Sequence, residues 1–224
     1  MIVYGKQPVL YLLENKRKVV KRVFLSKDVD KEVFRKFSGI EVLKLDSKKA
    51  QAMARGGNHQ GFLAEIEEVE LTPYKDIIKK SEFILVLHSI TDVGNIGSIV
   101  RTAYSLGVDG IIVTGINELK FEGMVRTSSG AIFDLKVSHN KNIYDIINEG
   151  KQQGFKFYGA TLNGKDIRKS EISEKRVLVL GSESDGLPNR VLKMLDEKVT
   201  IEMARKFDSL NVSVASAILI DRMR

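Results

Sequence analysis

The sequence predicts an α/β protein in which a small α/β unit precedes a larger, mostly parallel sheet with helices on both faces. Three observations carry this. Up to about residue 68, strand-like alternation and short helical stretches follow one another closely. From Phe83 onward, short apolar runs are separated by helix-length segments, the pattern of parallel strands buried on both faces. Between the two, the acidic stretch 65–70 and Thr72-Pro73 mark a boundary. The expected division is therefore 1–70 for the small unit, 71–80 for a linker and 81–224 for the larger unit.

In the first unit, Val9, Leu10, Leu12 and Leu13 follow Gly5 and Pro8 with helical spacing, and that helix ends in Lys16-Arg17-Lys18. Residues 19–25 alternate as a strand, 33–37 fit a short helix, 41–45 a second strand, 50–55 a helix broken by Gly56-Gly57-Asn58, and 60–66 a third strand. In the second unit, strands are expected at 83–87, 110–113, 155–158, 177–180 and 199–201, with helices at 97–106, 143–153 and 188–195. The chain then crosses a polar, basic loop into a last helix opening at Ser209 or Asn211. Leu210, Val214, Ala215, Ala217, Ile218 and Leu219 leave that helix little polar circumference, so it is expected to be packed on most sides.

Composition excludes several chemistries. With 224 residues and no cysteine, disulfides, thiolate metal sites and cysteine nucleophiles are ruled out. His59, His88 and His139 show no ligand spacing, so no metal is expected. No apolar run approaches a membrane span, and the first residues lack the pattern of a signal peptide; a soluble, cytoplasmic protein is expected. Lys and Arg total 36 against 29 Asp and Glu, net +7. Residues 1–64 hold fourteen of those cations against six acids, so positive charge collects at the front of the chain. That suits a polyanionic partner.

In open parallel sheets ligands bind beyond the carboxyl ends of the strands, and these ends carry the unusual sequence. After the first strand, Gly94 and Gly97 would let the backbone approach a ligand, Asn95 offers donor and acceptor, and Arg101 lies a turn or so into the following helix, either at the site or simply exposed. The stretch lacks the Gly-x-Gly-x-x-Gly of dinucleotide binders, which weakens any NAD or FAD reading. Leu180-Gly-Ser-Glu-Ser-Asp-Gly-Leu-Pro188 turns outward with Glu183, which would hold an amine or hydroxyl or cap a basic neighbour. Gly181 would permit close contact with a planar ligand. Tyr158-Gly-Ala-Thr-Leu-Asn-Gly164 forms another small-residue turn, and Ser209 with Asn211 completes a set of four loops best explained by a pocket.

Asn95-Ile-Gly97 with Arg101, Gly181-x-Glu183-x-x-Gly186-Leu187, and Ser209-Leu-Asn-Val-Ser-Val-Ala215 resemble the three ordered motifs of the SpoU/TrmH family of RNA ribose 2′-O-methyltransferases, part of the SPOUT superfamily. The resemblance spans most of residues 83–220. Tyr4-Gly5, Pro8-Val9 and His59-Gln60-Gly61 resemble the family's small ribosomal-protein-like substrate-binding domain, most like the two-domain enzymes that methylate a guanosine in large-subunit ribosomal RNA.

The resemblance implies a C-terminal trefoil knot, S-adenosylmethionine as cofactor, and an RNA substrate, ribosomal or, alternatively, transfer RNA. It implies a homodimer with active sites near the subunit interface. It places Asn95, Arg101, Glu183, Ser209 and Asn211 at polar active-site positions. Gly181, Ile201 and Leu210 would line the cofactor site, with Thr161, Leu162 and Met203 nearby. The chain departs from the motif at Glu202, where a proline usually follows the strand isoleucine, and at Arg205. A non-catalytic RNA-binding protein on the same fold is the competing expectation.

Overall fold

Two sheets organise the chain, each with its own core. The computed structural model describes residues 1–205 and 208–224. The basic loop expected before the last helix lies partly outside the described residues, at 206–207. The chain divides into two compact units, one of residues 1–70 and 120–133 and the other of residues 71–119 and 134–224.

The first unit runs β1 (Ile2–Tyr4), α1 (Lys6–Asn15), β2 (Val20–Leu25), α2 (Lys31–Arg35), β3 (Glu41–Lys44), α3 (Ser47–Met53) and β4 (Phe62–Ile66). Its sheet order is β1-β4-β2-β3, with β4 antiparallel to both neighbours and β2 parallel to β3. Periodicity predicts three strands here; β1 is a fourth, too short at three residues to show alternation. Asp30 and Asp46 start α2 and α3, each carboxylate accepting the backbone N–H three residues on. Phe24, Leu63, Ala50 and Ala54 form a core between sheet and α3.

The second unit begins with α4 (Tyr74–Lys79), then β5 (Phe83–His88), α5 (Val93–Ser105) and β6 (Gly110–Thr114). Residues 71–80, expected as a linker, are therefore structured: Ile77 and Ile78 of α4 are buried in the same core as Ile84 and Val86. The intervening segment 120–133, with α6 (Phe121–Thr127), groups with the first unit, a long-range assignment that no local pattern encodes. The second unit continues with β7 (Lys136–His139), α7 (Ile143–Gln152), β8 (Lys156–Asp166), β9 (Arg176–Leu180), α8 (Asn189–Leu192), β10 (Glu197–Thr200) and α9 (Val212–Met223).

The six strands are ordered β10-β8-β9-β5-β6-β7, and every pairing is parallel. Alternate residues of each strand face opposite helical layers. Ile84, Val86, Val177 and Val179 pack with α4 and α7, while α9 packs against β9 and α5. β7, with the sequence Lys-Val-Ser-His, escapes a search for apolar runs because an edge strand has fewer buried positions.

α9 is less enclosed than its composition predicts. Val212, Ser216, Leu219, Ile220 and Met223 are buried, but Val214 is 49% and Ile218 36% exposed, four residues apart on one face. No helix among the described residues is long and apolar enough to cross a membrane, and no group of His, Asp and Glu among them could hold a metal.

Candidate functional site

The site starts from an irregularity in β8. Its pairing with β10 runs through Tyr158↔Glu197 and Gly159↔Lys198, then resumes at Lys165↔Val199 and Asp166↔Thr200, so residues 160–164 leave the ladder between successive β10 residues. The stretch 158–164, expected as a turn ending a strand, thus lies inside one long strand, with 160–164 as an excursion from its pairing with β10. Gly164 makes the return possible: a Cβ there would lie 2.7 Å from the Lys198 carbonyl oxygen. The excursion forms one wall of a cavity of ≈ 670 Å³ that lies beside the middle of β8 and beyond the carboxyl end of β9.

The turn after β9 forms the second wall. Ser182 and Gly186 close it, with Gly186 N–H donating to the Ser182 carbonyl at 3.0 Å and Gly186 at φ 63°. Gly181 is required by this closure whatever it also does for a ligand: a Cβ at Gly181 would fall 2.2 Å from the Gly186 carbonyl carbon. The segment after β10 and the approach to α9 form the third wall. Thr161, Leu162, Gly181, Ile201, Met203 and Leu210 all line this one cavity, together with Glu183 and Ser209. Val212, Ala215 and Leu219 of α9 also line it; their apolar character marks them as core in the sequence, which is why they escape a search for site residues.

At the rim stands a polar cluster whose orientation follows from a helix cap. Asn211 caps α9: its Oδ1 accepts from Ser213 N at 2.9 Å, Ser213 Oγ at 2.6 Å and Val214 N at 3.4 Å. With the oxygen committed, Nδ2 points outward and donates to Glu183 Oε1 at 2.9 Å and Asn95 Oδ1 at 3.1 Å. That leaves Asn95 Nδ2 to donate to the same Glu183 oxygen at 3.0 Å. Three residues 88 and 28 positions apart along the chain thereby form a closed triangle, and the amide assignments are mutually determined.

Asn95 lies inside α5, not in the loop before it, because Asp92 starts that helix early by accepting Asn95 N–H at 2.7 Å. Gly97 is buried within α5 and does not line the cavity. Arg101 is exposed on α5, six residues and about 9 Å of helix rise past Asn95, and it does not line the cavity. Ser209 borders the cavity but makes no described hydrogen bond with the triangle.

Beside the β10 wall is an ion-pair network that the sequence alone does not reveal. Asp166, only 9% exposed, accepts from Arg168 Nε at 3.1 and 3.0 Å and from Arg168 N–H at 3.0 Å, and Arg168 Nη2 also reaches Glu202 Oε2 at 2.6 Å. The guanidinium hydrogen bonds hold the Asp166 carboxyl at about 2, below its ordinary 3.8. The nearest sequence signal is the Asp-x-Arg spacing, which is common in turns. His88 stays outside the site; its Nδ1 is 2.8 Å from Thr114 Oγ1, and burial lowers its pKa.

An all-parallel sheet with a roomy cavity beyond its carboxyl ends, bordered by oriented amides and a carboxylate, defines an α/β domain built to hold a small polar ligand. Comparison with known proteins goes further. The SpoU rRNA Methylase family matches residues 82–221, and a model described as RNA 2′-O ribose methyltransferase substrate binding matches residues 2–72. The chain belongs to the SpoU methylase family of RNA methyltransferases. A Borreliella burgdorferi protein named as an uncharacterized tRNA/rRNA methyltransferase is 31% identical over 203 residues, covering 84% of this chain and 89% of that protein. A Bacillus subtilis protein named for the TrmH family of tRNA/rRNA methyltransferases is 30% identical over 231 residues, covering 97% of this chain and 92% of that protein. The crystal structure of an AdoMet-bound rRNA methyltransferase from Sinorhizobium meliloti superposes with a TM-score of 0.80 at 27% identity, covering all of this chain and 86% of that one.

Proposed function

We propose that this chain is an S-adenosylmethionine-dependent methyltransferase acting on the ribose 2′-hydroxyl of a guanosine in large-subunit ribosomal RNA. The observation that carries the reading is the convergence of eight separated residues on one cavity with the Asn95–Glu183–Asn211 triangle at its rim.

The cavity suits the cofactor. Its ≈ 670 Å³ falls within the usual range of roughly 300–1,000 Å³ for small-molecule sites. Leu162, Ile201, Met203 and Leu210 offer apolar walls for a purine. Thr161 Oγ1 is buried without a described hydrogen-bond partner, a cost that a polar ligand group would offset. When bound, the cofactor supplies an electrophilic methyl on a cationic sulfur.

The chain's own residues position and select. Asn211 and Asn95 fix the Glu183 carboxylate at the cavity edge, where it can accept a hydrogen bond from a ribose hydroxyl. Ser209 provides a second polar group in the cavity lining. Arg101, whose planar guanidinium presents a fixed fork of N–H donors, serves as a phosphate clamp on the substrate strand. The first unit, residues 1–70, grips RNA phosphates, in line with its cationic excess and with the substrate-binding description of the family that matches it. A knotted C-terminus is part of this reading, supported by α9 returning to pack on both α5 and β9. So is a homodimer, supported by exposed Val214 and Ile218 on α9 and Tyr104 on the adjoining α5.

Transfer RNA is the second reading, favoured by relatives named as tRNA/rRNA methyltransferases. The deciding experiment incubates the protein and labelled S-adenosylmethionine with ribosomal and transfer RNA lacking 2′-O-methylation, then maps the modified nucleotide. Label in a ribosomal guanosine ribose is expected. Label only in transfer RNA replaces the first reading with the second. Absence of both cofactor binding and transfer leaves a non-catalytic RNA-binding protein.

A further inference from the structure

Glu202 lies two residues past the end of β10 and between Ile201 and Met203, which both line the cavity. Its side chain makes an ion pair. Its Oε2 lies 2.6 Å from Arg168 Nη2, and the same Nη2 lies 2.8 Å from Asp166 Oδ2. Arg168 Nε bonds both Asp166 oxygens, and Arg168 N–H donates to Oδ1. Asp166 is itself buried at the end of β8 and paired in register with Thr200 of β10. The guanidinium is therefore anchored on its sheet side and reaches outward to the loop.

We propose that the Asp166–Arg168–Glu202 network is an electrostatic clasp that positions the Ile201–Met203 wall, making cofactor affinity in this chain sensitive to ionic strength. Glu202 is a positioning residue that acts through Arg168, not by touching the ligand. The inference rests on the cofactor reading of the cavity. Its size follows from exposure: Arg168 and Glu202 side chains are 54% and 59% exposed, and exposed pairs of this kind change affinity by at most roughly fivefold. The anchored half of the clasp has less freedom to lose, which places the expected effect at roughly two- to fivefold.

The test is calorimetric binding of S-adenosylmethionine and of its neutral product, S-adenosylhomocysteine, at low and high salt. The proteins are the wild type, Glu202→Gln, Arg168→Gln and the double variant, with melting temperatures recorded to verify folding. The wild type should lose roughly two- to fivefold in affinity for both ligands as salt screens the pair. Each single variant should show that loss already at low salt and respond little to added salt, and the double variant should bind no more weakly than the weaker single. The clasp is overturned if Glu202→Gln binds both ligands like the wild type, or if the two single losses add. It is also overturned if the loss appears only with the cationic ligand, since Glu202 would then be acting on the sulfonium directly. A wild type that binds neither ligand refutes the cofactor reading and the clasp with it; binding without a Glu202 effect refutes the clasp alone.

Discussion

Replacing Asn211 separates two duties that one side chain performs. In Asn211→Ala the cap of α9 is lost, at a cost of about 1 kcal/mol. The two Nδ2 hydrogen bonds, to Asn95 at 3.1 Å and Glu183 at 2.9 Å, are lost as well. They contribute about 1–2 kcal/mol together, because the groups are exposed enough for water to replace part of the loss. The sum, about 2–3 kcal/mol, corresponds to a melting temperature lower by about 4–12 °C for a chain of this size. Asn211→Ser restores an oxygen that can cap the helix but cannot reach Asn95 or Glu183. It should recover about 1 kcal/mol of the stability while leaving the carboxylate unheld. Single-turnover methyl transfer should therefore fall about 100-fold in both variants, the penalty of misplaced reacting groups. Scanning calorimetry and single-turnover kinetics on the two variants make the comparison. Full turnover by Asn211→Ser would refute the argument that the triangle positions the reaction.

Other outcomes follow from the same geometry. Gly181→Ala forces its Cβ against backbone atoms of Gly186 and Leu187 at 2.2–2.6 Å; the turn must shift, at about 1–3 kcal/mol, and calorimetry should show both a lower melting temperature and weaker cofactor binding. Wild-type melting and affinity in that variant would mean the turn is freely mobile. Because the folded Asp166 carboxyl is held at about 2 against an ordinary 3.8, its contribution to stability is complete above pH 3.8 and disappears as pH falls through about 2. Acid unfolding of the wild type and Asp166→Asn should differ above pH 3.8 and converge near pH 2. Val214→Glu combined with Ile218→Glu, on the exposed stripe of α9, should convert the proposed dimer to a monomer in light scattering; a wild type that is already monomeric would refute the dimer, and a variant of unchanged dimeric mass would remove this face from its interface.

Much of the second unit was legible because its signals are local. Buried parallel strands must be apolar on both faces, so 83–87, 110–113 and 177–180 stand out without context. The same logic failed where burial is one-sided or the element is short, as at β1 and β7. It also failed at 71–80, where polar residues surround Ile77 and Ile78 and hide a helix whose packing depends on strands yet to be formed. Glycines were the hardest to read. Gly181 looks identical in sequence whether it makes room for a ligand or for its own turn, and only the position of Gly186 shows that the turn requires it.

By itself, the sequence determined the α/β alternation, the change of pattern near residue 70 and the identity of the side chains able to line a site, since these depend on periodicity, turn chemistry and motif. The tertiary structure alone decided which groups meet. Asn211 capping α9 orients one amide, that amide orients Asn95, and both converge on Glu183 from elements far apart in the chain. Hydrogen-bond direction is a property of where three elements come together, and no linear pattern contains it. The same is true of Arg168, unremarkable in its own turn until Asp166 and Glu202 are brought to either side of it.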